Sequence, residues 1–363
     1  MSMFRNVKIR FKILRNNSVY GEIYAKDSPT LSMNRESEIK MSLNGVFLPT
    51  ATDIDGREVE VDWLSDEIQP VIDINGIEYP LAVVMPASVV PSESETTKEL
   101  HVEAYDRCWR VSDTRFETVL HLSAGTNYVS AIETLLLGCG VETILKTESE
   151  ATLTEDREWD IGTSYLEVVN QLLSEINYEK LSFNENGIAM IKPIRELSVE
   201  NAVIAFTDKT VDPRDPKSAS IINIMPEISI TNDIYKAPNV FVCVCSNPDK
   251  SDVMIAKAEN TNPQSPLSIQ RRGRRIVDVV RVDNIASQEE LQAYVNNIRN
   301  ESMITGEVYT IKTLLLPGIR TSDIVALQVN GAGAICIEEQ WEMILGIGGS
   351  MTHQLKRVVI NVG

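Results

Sequence analysis

The chain holds 363 residues, 43% of them hydrophobic, which predicts about two or three domains with ample core and excludes global disorder. A net charge of -18 argues against general attraction to nucleic acid. The opening MSMFRNVKIRF has no apolar leader core and no stretch approaches the length of a membrane span, so neither a secretory leader nor a membrane anchor is expected.

Val7–Ile13 alternates strictly, with Val7, Ile9, Phe11 and Ile13 on one face and Lys8, Arg10 and Lys12 on the other. That is a half-buried strand, and its three cations are expected to be solvated. Short strands follow near 19–24 and 37–43. After a turn at Asp55-Gly56, Val59, Val61 and Trp63 alternate. Val71–Ile74, Asn75-Gly76 and Ile77–Val84 spell a hairpin, because an Asn-Gly pair accepts the backbone of a tight turn. A polar loop, Pro91–Lys98, leads to a strand at Glu99–Tyr105. Residues 1–110 therefore read as an all-β barrel or sandwich.

The texture changes after 110. Ser123 or Thr126 would cap a helix whose apolar face carries Tyr128, Val129, Ile132, Leu135, Leu136 and Cys139, ended by Gly138 and Gly140. The acidic segment Glu148–Asp160 reads as an exposed loop. Ser164 and Glu167 have capping-box spacing ahead of a helix that runs to Ile176. A small hairpin turning at Asn186-Gly187 follows and should stop at Pro193, which has no N–H to donate. Residues 111–207 thus form a middle α+β module.

Asp208–Lys217, with Pro213 and Pro216, reads as a linker. Strands are expected at Ile221–Ile230 and Val240–Cys245, then polar loops at Ser246–Asp252 and Glu259–Ser268. The basic run Arg271–Arg275 precedes a strand at Ile276–Val282. Ser287 and Glu290 form a second capping box, opening a helix with Leu291, Tyr294, Val295 and Ile298 on one face. Strands at 308–315, 324–329, 334–337, 341–345 and 355–362 complete a last module, 208–363, as a β structure with one long helix laid against it.

Candidate chemistry is sparse. His101, His121 and His353 lie far apart with no ligand-spaced partner. Five scattered cysteines read as reduced, buried small hydrophobes, and Cys243 and Cys245, on one strand face, lack the further ligands of a zinc site. No nucleophile elbow, HExxH or P-loop pattern occurs. Glu155, Asp156, Glu158 and Asp160 cluster, but glycosidase chemistry needs two carboxyls held across a cleft, one with a raised pKa. A solvated loop supplies neither. The block Arg271, Arg272, Arg274 and Arg275 reads as a partner for acidic residues on this chain or a neighbouring copy rather than for phosphate.

Taken in order, Ile74-Asn75-Gly76 with Leu81–Val84, Glu103–Arg107, Ala124–Tyr128, Gly162–Leu166, Asn184–Gly187, Gly273–Arg275 ahead of Ser287, and Pro317–Val325 resemble the baseplate hub proteins of contractile phage tails and tailocins, the late control protein D-like family. The resemblance spans nearly the whole chain, with short motifs. It implies an α+β, mainly β fold: two tail-tube-like β-barrel modules flanking a smaller helix-containing module. It implies a non-enzymatic homotrimer whose six barrels adapt a sixfold tail tube to a threefold central spike. Tube protein, spike protein, other baseplate proteins and the tape measure protein are the expected partners. DNA would be only passing cargo, sliding through an acidic annulus, and no cofactor or metal is implied. The expected location is the tail baseplate of a virion or tailocin, assembled in the host bacterial cytoplasm. The competing readings are a tail-associated cell-wall hydrolase and a receptor-binding tail-tip protein.

Overall fold

In the computed structural model the described residues are 6–53, 55–93, 98–194, 201–211, 220–232, 237–245, 253–282, 285, 287–302 and 304–358. The expected mainly β architecture is present. The first lobe contains β1 (Val7–Arg15), β2 (Ser18–Ala25), β3 (Thr30–Asn34), β4 (Met41–Thr52), β5 (Glu58–Val59), β6 (Glu67–Ile74), β7 (Ile77–Pro80), β8 (Val84–Glu93) and β9 (Lys98–Asp106). Antiparallel pairing runs β4-β2-β1-β6-β8-β9 and returns from β9 to β4, so six strands close a barrel and leave no edge within that circuit. Phe11 and Ile13 point into it, as their alternation requires. The outer cations are not simply solvated. Arg10 pairs with Glu22 and Glu78, and Lys12 Nζ lies 2.5 Å from Glu78.

The middle module follows: α1 (Cys108–Asp113), β10 (Leu120–Leu122), α2 (Tyr128–Gly138), β11 (Ile144–Lys146), β12 (Arg157–Trp159), α3 (Tyr165–Glu175), β13 (Ser182–Phe183) and β14 (Ala189–Ile191). Ser164 Oγ accepts from Glu167 N at 3.1 Å, the cap that the spacing predicts. For α2 the cap is Asn127, whose side chain accepts from Ser130 N at 3.0 Å, rather than Ser123 or Thr126. The acidic segment is not wholly an exposed loop either. It contains β12, paired with β10, and its Leu153, Arg157 and Trp159 are buried.

The chain then enters a second lobe through β15 (Ala202–Thr207), β16 (Ile221–Asn223) and β17 (Ile228–Asn232). The β-like stretch Ile221–Ile230 holds two strands, not one. Pro226, which cannot donate to a ladder, lies between the two strands found there. A separate layer comes next: β18 (Val240–Cys245), β19 (Met254–Glu259), the short α4 (Ile269–Arg272), β20 (Val277–Val282) and α5 (Gln288–Ser302). The lobe is completed by β21 (Ile304–Leu314), β22 (Ile324–Val329), β23 (Ala332–Ile344) and β24 (Ser350–Val358). Its order is β16-β15-β22-β23-β24-β21-β17, with β15 parallel to both neighbours. Ile224 N donates to Thr207 O and Met225 N to Lys312 O, so one short segment bridges β15 and β21 and rolls the sheet toward closure. The long helix α5 does not lie on this lobe's sheet. It covers the three-stranded sheet β19-β18-β20, where Leu291 and Val295 meet Phe241, Cys243 and Cys245.

The two lobes are one continuous sheet. β3 pairs antiparallel with β23 from Gln340↔Asn34 to Ile344↔Thr30, and one hydrophobic core crosses the seam through Leu31, Met33, Trp341 and Met343. The middle module has its own core, which includes Val129, Ile132, Val169 and Leu172. All five cysteines are buried. Burial pushes the thiols of Cys108, Cys139, Cys243 and Cys336 up, Cys336 to about 12.

Candidate assembly interface

The seam is built for close approach. Leu345 N donates to Pro29 O at 2.7 Å. A Cβ on Gly346 would run into Ser28, and one on Gly45 would fall 2.6 Å from Pro29. At one end Arg35 pairs with Glu301 of α5, and Glu339 accepts from Lys356 at 2.8 Å. Glu339 is buried next to Glu338 because β23 carries a bulge between Glu338 and Gln340, which turns two consecutive carboxylates inward. Glu338 Oε2 lies 2.9 Å from His353 Nδ1, and His353 Nε2 lies 3.0 Å from Thr313 Oγ1. Burial raises the Glu338 carboxyl to about 7, opposed by His353. The three side chains are enclosed in the second lobe, so this row is a core network without access for a substrate.

The middle module is latched by Arg107, at the end of β9. Its guanidinium donates through Nε to Glu67 Oε1 at 2.8 Å and through Nη2 to Glu67 Oε2 at 2.5 Å. The remaining donors reach Gly187 O at 2.8 Å and Asn17 Oδ1 at 2.6 Å. One buried fork thus ties the first barrel to the turn of the β13–β14 hairpin. Gly187 is required there twice over: its φ is +71°, and an added Cβ would sit 3.0 Å from Arg107. Arg320 of the second lobe pairs with Glu185 of the same turn. Asn177, just past α3, joins the module to α5 through Glu290 and through Asn297 Nδ2, at 2.9 Å.

The arginine block lies on the small sheet's layer. Ser268 caps α4, Gly273 ends it in the left-handed conformation at φ 62°, and the chain turns into β20. Arg275 pairs with Glu259 at 2.5 Å, and the bonds from Arg275 and Lys257 hold the Glu259 carboxyl down to about 2. Arg272 donates to Ala237 O at 2.6 Å. Arg271 and Arg274 are exposed. Within the chain, then, part of the block meets a carboxylate and part faces outward. Of the clustered acids, Asp156 accepts from Ala124 N at 2.8 Å and Glu158 lies 3.3 Å from His121. Among the described residues no group of three or more His, Cys, Asp or Glu side chains is placed to hold a metal ion. No described helix is long and apolar enough to cross a membrane.

No family model matches the chain, and no curated protein matches it by sequence. Solved structures do resemble it. A tail protein from Neisseria meningitidis MC58 superposes with a TM-score of 0.65 at 11% identity, over 96% of both chains. The 43 kDa tail protein of prophage MuSo2 from Shewanella oneidensis gives 0.63 at 10% identity, over 96% of this chain and 98% of that one. A chain of the lidded Francisella PdpA–VgrG complex gives 0.52 at 10% identity, over 98% of this chain and 53% of that one. The fold of this chain, from its first described strand to its last, is therefore that of solved phage tail proteins.

Proposed function

We propose that the chain is a structural hub of a contractile-tail baseplate, a homotrimer that adapts a sixfold tube to a threefold spike. The observation that carries this reading is the edge-to-edge union of two β lobes through β3 and β23. Three copies repeating that side-by-side arrangement would place six similar lobes around one axis. In this reading the first barrel and the second lobe, which begins at β15, supply the tube-like modules, and the middle module between them braces the annulus from outside. Arg271, Arg272, Arg274 and Arg275 meet an acidic face of the next copy. The net charge of -18 repels any DNA passing through the centre. The test is to mix the purified chain with candidate tube and spike proteins and follow mass by light scattering. Ternary particles holding three copies are the expected product. A chain that binds neither protein, or that clears peptidoglycan in a zymogram, overturns the proposal.

A further inference from the structure

α5 covers one face of the β19-β18-β20 sheet; on the other, Val240 is buried at one end and the residues beyond it are half-buried or exposed. Phe241, Cys243, Cys245, Ala256 and Ala258 pack under α5. The register places Val242, Val244, Ile255, Val277 and Val279 together on the other face. There Ile255 is 59% exposed, Val277 54% and Val279 47%. Among the described residues β20 pairs with β18 alone, so its far edge is open as well. An apolar face bounded by an unpaired edge strand is an association hazard unless something covers it. The rest of this chain does not supply the cover from the described residues that pack nearby. α5 occupies the opposite face, and the middle module sits behind α5 through Asn177.

Charge identifies the cover. Lys257 on the outer face is paired with Glu259, but Arg281 stands exposed there and Arg271 and Arg274 are exposed on the turn before it, a basic rim on a chain of net charge -18. The chain also presents a surface of opposite character. Around the β10–β12 ribbon Val119 is 49% and Ile161 66% exposed, and Glu117, Asp156, Glu158 and Asp160 are exposed beside them. We propose that the outer face of the β18–β20 sheet docks on the acidic β10–β12 ribbon of a second copy of the chain. Two different surfaces make a head-to-tail contact, which closes into a ring when the rotation allows. This inference rests on the annular reading and specifies which surfaces meet.

The experiment compares wild type with Val279→Asp, with Arg281→Glu, and with Glu158→Lys plus Asp160→Lys. Mass is read by light scattering over a concentration series, and circular dichroism checks the fold. Each variant should raise the concentration needed for assembly by about tenfold or more. Arg281→Glu combined in one chain with the two lysine changes should restore much of the loss, because the charges are exchanged across the contact. A second readout uses wild type alone. Amide exchange over 277–282 should slow on going from dilute, dissociated chain to the assembly. Variants that assemble like wild type, or assemblies whose 277–282 amides exchange as in the dilute chain, overturn this inference and leave the annulus standing. Wild type that stays monomeric at every concentration overturns the annular reading and this contact with it.

Discussion

Replacing Arg107 by alanine isolates the physics of the latch. Arg107 and Glu67 are 7% and 5% exposed, so the substitution leaves a carboxylate buried without its fork and strips a donor from Gly187 O and Asn17 Oδ1. Breaking a buried pair from one side costs about 3–5 kcal/mol. Each lost neutral acceptor adds about 1 kcal/mol where water does not replace the donor. Arg110 Nη2 lies 3.9 Å from Glu67 and can take over part of the role, which favours the lower end. Urea unfolding followed by tryptophan fluorescence should therefore show Arg107→Ala less stable by about 3–4 kcal/mol, with the slope unchanged. Removing both charges, as Arg107→Met with Glu67→Leu, should recover at least about half of that loss, since no ion is then stranded. A single replacement costing less than about 1 kcal/mol, or a double no better than the single, would refute the argument.

Three further outcomes follow from the core, the seam and the thiols. Burial raises the Glu338 carboxyl from its ordinary value near 4.5 to about 7. The folded state thus binds the extra proton, and the stability from this group is complete below about 4.5 and lost as pH rises through about 7. Glu338→Gln should remove that decline, about 3 kcal/mol at most, so the variant gains on wild type between pH 5 and pH 8 in thermal melts. A gap that does not change with pH contradicts it. Gly346→Ala should destabilise by about 1–3 kcal/mol through overlap with Ser28, and adding Ser28→Gly should relieve most of it in the same unfolding assay. Native chain should react slowly with a thiol reagent and release its five thiols only on unfolding, since all five are buried. Fast native labelling would show otherwise.

Local signals made α3, α5 and the β6–β7 hairpin legible. Each is written in neighbouring residues: Ser164 with Glu167, Ser287 with Glu290, and Asn75, which takes φ 55° in its turn. What the sequence did not reveal depends on residues far apart or on segments too short for a period to register. α1 has six residues and no side-chain cap. β23 reads in sequence as two strands, because Glu338 and Glu339 look like a break until the bulge buries them both. The seam joins residues some three hundred positions apart, and no local pattern announces that β3 meets β23. The arginine block was legible as a surface feature. The open face beside it was not, because Val277 and Val279 read like any other alternating strand until register puts them beside Val242 and Val244.

The central claim is a threefold annulus of side-by-side lobes. Electron-microscope class averages of the purified chain, viewed down the particle axis, test it most directly. The account predicts rings of three copies showing six similar lobes. Particles of one or two copies, or rings of another order, would contradict it.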